Sequence, residues 1–206
     1  MVRSFLGILF LATAAIGYSQ DIGVPVIKNF APEEYNAEPQ NWQISQGKNG
    51  FMYIANNSGL LEYDGVSWRL IDVPKRTTRS VDISKDGRIY IGTAGDLGYI
   101  DYNANGKQQF ISLLEKIPKQ FRDFVEVWKT AATSDGVYFK ANKYVFLWDG
   151  EKITTWSAPK YFAFSFAIDD AFYVKEDSLG LICFRNKQLI KLPSAEFFKE
   201  KERTLS

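Results

Sequence analysis

One four-strand phrase occurs four times along this chain, and that repetition limits the available folds more than any other feature. The units read NGFMYIANNSGLLEYDGVSW (49–68), DGRIYIGTAGDLGYIDYNANG (86–106), DGVYFKANKYVFLWDG (135–150) and DDAFYVKEDSLGLICFRN (169–186). Their opening turns, Asn49-Gly50, Asp86-Gly87, Asp135-Gly136 and Asp169-Asp170, lie 37, 49 and 34 residues apart. A second turn follows in each unit, at Asp64-Gly65, Asn105-Gly106, Asp149-Gly150 and Arg185-Asn186. Asn-Gly and Asp-Gly favour two-residue hairpins, whose central positions both need positive φ. Three residues past each opening turn stands an aromatic: Tyr53, Tyr90, Phe139 and Tyr173.

Four short antiparallel strands in roughly 40–45 residues make one blade of a β-propeller. A β-sandwich also has short strands and regular turns, but it gives no reason for one phrase to recur in register. The expected fold is all-β, with about four blades at 41–74, 79–113, 127–158 and 162–193 after a lead-in over 20–40. A load of 16 Phe, 11 Tyr and 5 Trp suits such half-buried pleated surfaces. The longer, charged stretch 111–127 is expected to add a turn or short helix on one face of the disc. Residues 194–206 read as the start of a further blade or a truncated tail. Small four-bladed discs commonly lock their ends, and the lone Cys183 offers no lock, so the blades read as the front part of a larger propeller. Cys183 lies in an apolar strand and is expected to be a buried, inert thiol.

The first nineteen residues read as a secretory signal peptide. Arg3 supplies the positive start, Phe5 to Ile16 the apolar run, and Gly17 and Ser19 the small residues before a cut at Gln20. The run is short of the ~20 residues that span a bilayer. The mature chain is therefore expected in the periplasm or outside the cell, with no membrane insertion after cleavage.

Composition narrows the chemistry. There is no histidine, which removes the commonest general base and metal ligand. With one cysteine it also removes Ser-His and Cys-His nucleophile pairs and Cys/His zinc sites. No catalytic residue, metal or cofactor is expected. A net charge of +1 offers no field to steer nucleic acid, so none is expected as a partner. Asp101 to Gly106 matches the opening half of an EF-hand loop, but Ser112 stands where the bidentate Glu belongs, so a hairpin turn is favoured. Gly92, Gly95 and Gly98 lie between strands rather than before a helix, so they read as a tight corner, not a phosphate loop.

Seven residues before each opening turn stand Trp42, Arg79, Trp128 and Phe162. That position opens the innermost strand, near the ligand-facing end of a propeller channel. Three aromatics and an Arg there would make a rim for sugars, peptides or aromatic ligands. The competing reading is plain packing between blades. The loop 75–79, with Arg76, reaches the same face and would pair a carboxylate or sulfate through Arg forks, or simply be solvated.

At NWQISQGKNGFMYIANNSGLLEYDGVSW (41–68) and DGRIYIGTAGDLGYID (86–101) the chain resembles the two-component regulator propeller family, over about residues 28–193. That resemblance implies the periplasmic sensor part of a hybrid histidine kinase or a membrane-bound transcriptional regulator. It also implies a C-terminal, membrane-anchored output module as the partner. The expected function is thus an extracytoplasmic propeller that senses a small molecule or glycan and is not an enzyme. A lyase or glycan-active enzyme using carboxylates such as Asp96 or Glu176 is one alternative. A flat scaffold for another protein is the second.

Overall fold

The computed structural model describes residues 27–74, 77–193 and 195–198. It consists of four antiparallel four-stranded sheets, arranged as four propeller blades. Blade 1 holds β1 (Asn41–Gln46), β2 (Met52–Asn56), β3 (Gly59–Tyr63) and β4 (Trp68–Ile71). Blade 2 holds β5 (Thr78–Ile83), β6 (Ile89–Thr93), β7 (Asp96–Tyr102) and β8 (Gln108–Ser112). Blade 3 holds β9 (Val127–Thr133), β10 (Gly136–Ala141), β11 (Tyr144–Trp148) and β12 (Ile153–Ser157). Blade 4 holds β13 (Phe162–Ile168), β14 (Ala171–Glu176), β15 (Gly180–Arg185) and β16 (Gln188–Lys191). Strands pair in sequence order within every blade. The leader over 1–19 and Arg76 lie outside the described residues.

The turns work differently from the two-residue expectation. At the openings of blades 1 and 2, Gly50 and Gly87 donate back to the carbonyls of Gly47 and Ser84, closing longer loops in which only the glycine has positive φ. Both central residues are left-handed only at Asp169-Asp170 (φ 48° and 62°) and Asn186-Lys187 (φ 52° and 58°), neither of which contains glycine. In blade 3 the hairpin turns on Ser134 and Asp135, because Thr133 already pairs with Gly136. That moves the strand by one residue relative to the turn, and with a period of two it flips the face. Tyr138, not Phe139, is therefore the counterpart of Tyr53, Tyr90 and Tyr173.

Successive blades pack through three apolar layers. Tyr53, Leu60 and Ile71 meet Val81, Ile89 and Ile91 between blades 1 and 2. Tyr90 and Leu97 meet Val137, Phe139 and Phe146 between blades 2 and 3. Tyr138, Val145 and Leu147 meet Phe172, Val174 and Ile182 between blades 3 and 4. Residues 111–127 form two 3-10 turns, Leu114–Lys116 and Lys119–Phe121. Leu113, Ile117 and Phe124 of this stretch are buried in the second layer. Blade approach is close enough that a Cβ on Gly92 would lie 2.3 Å from Val127 Cγ1, which gives that glycine a packing reason. Cys183 is buried and unpaired.

The innermost strands are tied by polar groups near the axis. Asp82 accepts Ser45 Oγ at 3.0 Å and the Ala132 amide at 2.8 Å, linking β1, β5 and β9. Gln43 Nε2 donates to the carbonyls of Val81 (2.7 Å) and Thr130 (3.4 Å) across the same three strands. Ser80 Oγ donates to the Val127 carbonyl at 2.8 Å and shares a hydrogen bond with Thr130 Oγ1.

One buried cation opposes this order. Lys140 is buried in β10, where its ammonium donates to the Ala163 carbonyl of the next blade. Burial lowers its pKa to about 8. A lysine whose folded pKa lies below its unfolded value weakens the fold at neutral pH. Stability should therefore rise as pH climbs from about 8 to about 10.5, where the unfolded chain binds the extra proton. Lys140→Met is expected to stabilise the protein by on the order of 1–2 kcal/mol at pH 7 and to flatten that rise. Urea midpoints of both proteins at pH 7 and pH 10 test it; a wild type insensitive to pH across that window would contradict it.

Candidate functional site

The site is built by a repeated irregularity. In β1, Asn41 pairs with Asn56 and Gln43 with Ala55, so Trp42 has no cross-strand partner. In β5, Thr78 pairs with Thr93 and Ser80 with Gly92, leaving out Arg79. In β9, Val127 pairs with Ala141 and Lys129 with Lys140, leaving out Trp128. Each is the extra residue of a β-bulge, a device that re-aims one side chain away from the pleat. Because neighbouring residues tie the three strands at the axis, the three re-aimed side chains converge.

Arg79 lies at the centre. Its guanidinium carbon is 4.3 Å from the Trp42 ring centroid and 5.3 Å from that of Trp128. The two indoles meet edge to face, 5.6 Å apart at 69°. Glu126 accepts from Arg79 Nε (3.0 Å) and Nη2 (3.2 Å), a bidentate pair. Asn57 Oδ1 accepts from Arg79 Nη1 (2.8 Å) and from Trp42 Nε1 (2.9 Å). Both Arg79 and Glu126 side chains are mostly buried, whereas Trp42 and Trp128 keep 38% and 37% of their surface exposed. Arg79 thus lies against both indoles, beside their edge-to-face contact. The fork expected to meet an external carboxylate or sulfate is filled by Glu126.

Phe162 does not join this group. It is 1% exposed and packs in the layer between blades 3 and 4. Counting from the turn misplaced it: Phe162 pairs with Glu176, and the bulge of β13 falls over Ala163 and Phe164. Phe164 is exposed there. Sequence reasoning also missed Glu126 and Asn57. Asn57 occupies a turn between strands and Glu126 precedes β9, positions that carry no periodic signal.

Beside the indole pair runs a cleft of about 550 Å3 between the lead-in and the sheet of blade 1. Lys28, Phe30, Trp42, Gln43, Ile44 and Trp68 line it, so Trp42 belongs to both the cleft and the pair. A short helix, α1 (Pro32–Tyr35), anchors the lead-in by packing Tyr35 against Trp68, ring centroids 5.4 Å apart.

The carboxylates considered for acid–base work are engaged elsewhere. Glu176 is fully buried and accepts the amides of Lys160, Tyr161, Ser178 and Leu179 and the Ser178 hydroxyl. Burial raises its pKa, but those hydrogen bonds outweigh burial and hold it below the ordinary value, away from what a general acid needs. Asp96 accepts its neighbour's amide and Ser112 Oγ. Asn103 of the EF-hand-like stretch caps the β7–β8 turn through the Asn105 and Lys107 amides. Among the described residues, no group of three His, Cys, Asp or Glu side chains is placed to hold a metal.

No family model matches the chain, and no curated protein matches it. Solved structures do. The extracellular domain of the hybrid two component system BT4673 from B. thetaiotaomicron is similar with a TM-score of 0.52 and 20% identity, covering 74% of this chain and 21% of that one. That of the BT3049 system from the same organism gives 0.54 and 13%, covering 81% and 24%. Virginiamycin B lyase from Staphylococcus aureus gives 0.53 and 16%, covering 75% and 56%. At these identities the likeness is one of fold. The chain spans about a fifth of the length of those extracellular domains and just over half that of the lyase.

Proposed function

We propose that this chain is a ligand-sensing propeller, the N-terminal part of an extracytoplasmic signal-transduction protein of the two-component regulator propeller type. Its ligand is a small molecule or glycan held against the Trp42–Trp128 surface. The observation that carries this reading is the indole pair itself, aimed by bulges on two strands and braced by Arg79, with over a third of each ring open to solvent. A rigid aromatic face rimmed by Asn57 and Glu126 suits a ligand with a flat apolar side and hydroxyl edges, since stacking supplies contact area and planar polar groups fix orientation. The extracellular sensor domains among the similar structures support the location and the sensing role. Among the described residues no helix is long and apolar enough to cross a membrane. A non-enzymatic role fits the engaged carboxylates. One of the similar lyase structures is a catalytically inactive histidine variant, and this chain carries no histidine.

A thermal-shift screen of glycans and metabolites tests the reading. A ligand at 100 times its Kd should add about 2.7 kcal/mol of stability and quench tryptophan fluorescence. Trp128→Ala is expected to weaken that ligand at least tenfold, with the unliganded melting midpoint little changed because the ring is partly exposed. A ligand that binds Trp128→Ala and Trp42→Ala as tightly as the parent would place the site elsewhere.

A further inference from the structure

Lys140 is a cation that the fold itself does not balance. It stands two residues after Tyr138 on β10, and like Tyr138 it is turned toward blade 4. Its residue is 3% exposed. An ammonium carries three donors. One meets the Ala163 carbonyl, and among the described residues the other two have no acceptor and the charge has no carboxylate partner. A buried charge is ordinarily paired, because taking it out of water unpaired is costly.

The groups packed around it do not supply the missing partner. Lys129 of β9 lies directly across the strand pair, a second cation on the same face. β11 places Val145 opposite Lys140, and β13 contributes no charged residue. Glu176 of β14 spends its oxygens on four amides and a hydroxyl, none of them from Lys140. Lys143 and Lys175 have carboxylates of their own, Asp123 and Asp177. The imbalance is therefore confined to Lys140 and Lys129.

Partly open rings surround this charge. The Tyr161 ring centroid is 5.9 Å from the Lys140 ammonium, and Tyr161 is 41% exposed. The bulge of β13 that offers the Ala163 carbonyl also holds the exposed Phe164. Trp128 follows directly before Lys129, in the bulge between the pairs Val127–Ala141 and Lys129–Lys140. We propose that the seam between blades 3 and 4 seats a carboxylate of the ligand, paired with the Lys140 ammonium while the ligand's ring lies on Trp128. This rests on the ligand-binding reading of the Trp42–Trp128 surface and narrows it to a ring-bearing carboxylic acid.

Benzoate and its neutral isostere benzamide are the probes, titrated at constant ionic strength with tryptophan fluorescence as the readout. At pH 7 benzoate is expected to bind at least tenfold tighter than benzamide. Lys140→Met, which folds without the buried charge, should remove that preference and leave benzamide binding unchanged. A pH profile separates Lys140 from surface lysines. Burial lowers its pKa to about 8, so benzoate should weaken at least tenfold between pH 7 and pH 9.5, where an ordinary lysine stays charged. Benzamide should not change over that window. The proposal is overturned if benzoate is no tighter than benzamide on the parent, if neither binds, or if Lys140→Met keeps the preference. Failure of the underlying reading looks different: benzoate would retain its Lys140 dependence in both Trp42→Ala and Trp128→Ala. Equal binding of the two probes that Trp128→Ala abolishes would keep the indole surface and sink the carboxylate seat alone.

Discussion

Arg79→Ala is expected to destabilise the protein by about 3 kcal/mol and to abolish binding at the indole surface. The guanidinium supplies two donors to Glu126 and one to Asn57, and it packs against both Trp42 and Trp128. Removing it leaves a mostly buried carboxylate without its counter-charge, the situation in which breaking an ion pair costs most. The double variant Arg79→Ala with Glu126→Ala should recover at least half of the loss, because it removes the orphaned charge. Arg79→Lys keeps the charge but not the two-pronged geometry and should fall between the two. Urea midpoints of the parent, Arg79→Ala, Glu126→Ala, the double variant and Arg79→Lys decide the matter. If the double variant is as unstable as the sum of the singles, the pair is not coupled, and Arg79 acts only by packing on the rings.

The second large effect belongs to Glu176. Its two oxygens accept four backbone amides and a hydroxyl at the corner of blade 4, so Glu176→Ala removes five hydrogen bonds made by one fully buried carboxylate. A loss of about 4 kcal/mol is expected, a large share of the stability of a single domain. The damage should be local, with β13–β16 losing hydrogen-exchange protection while blades 1 and 2 keep theirs. The acid limb follows from the same contacts. A carboxyl held below its ordinary pKa contributes stability that is fully present above the unfolded value, about 4.3 for a Glu side chain, and is lost as pH falls through the folded one. Glu176→Gln should therefore lose part of the parent's steepening below that pH. Unchanged acid midpoints in Glu176→Gln would show that the hydrogen bonds are made equally well by the uncharged form.

The blades were legible in the sequence because their signals are local. Turn residues carry backbone demands of their own, and apolar residues two apart on a strand mark a covered face. What was hidden depends on register. The short turn at Ser134 and Asp135 put Phe139 on the wrong face by one residue. A bulge adds one residue without any mark in composition, so Phe162 was assigned a place that the bulge over Ala163 and Phe164 takes. Trp42, Arg79 and Trp128 sit on the bulges, and counting from the turns placed them in corresponding positions. Their bracing by Glu126, 47 residues from Arg79, is a long-range contact that no spacing rule contains.

Residues 27–37 lie ahead of blade 1 in the chain and supply the cover for its backward side. A polypeptide emerges from the ribosome, or crosses a membrane, amino end first. The first sheet thus has a lid before its successor exists, and each later sheet meets a finished template on arrival. Assembly then runs one way, like a zip with a fixed stop at one end. Blade 1 is thereby covered on both sides, by the lead-in and by blade 2, and its sheet should hold its hydrogen-exchange protection as well as the inner blades do.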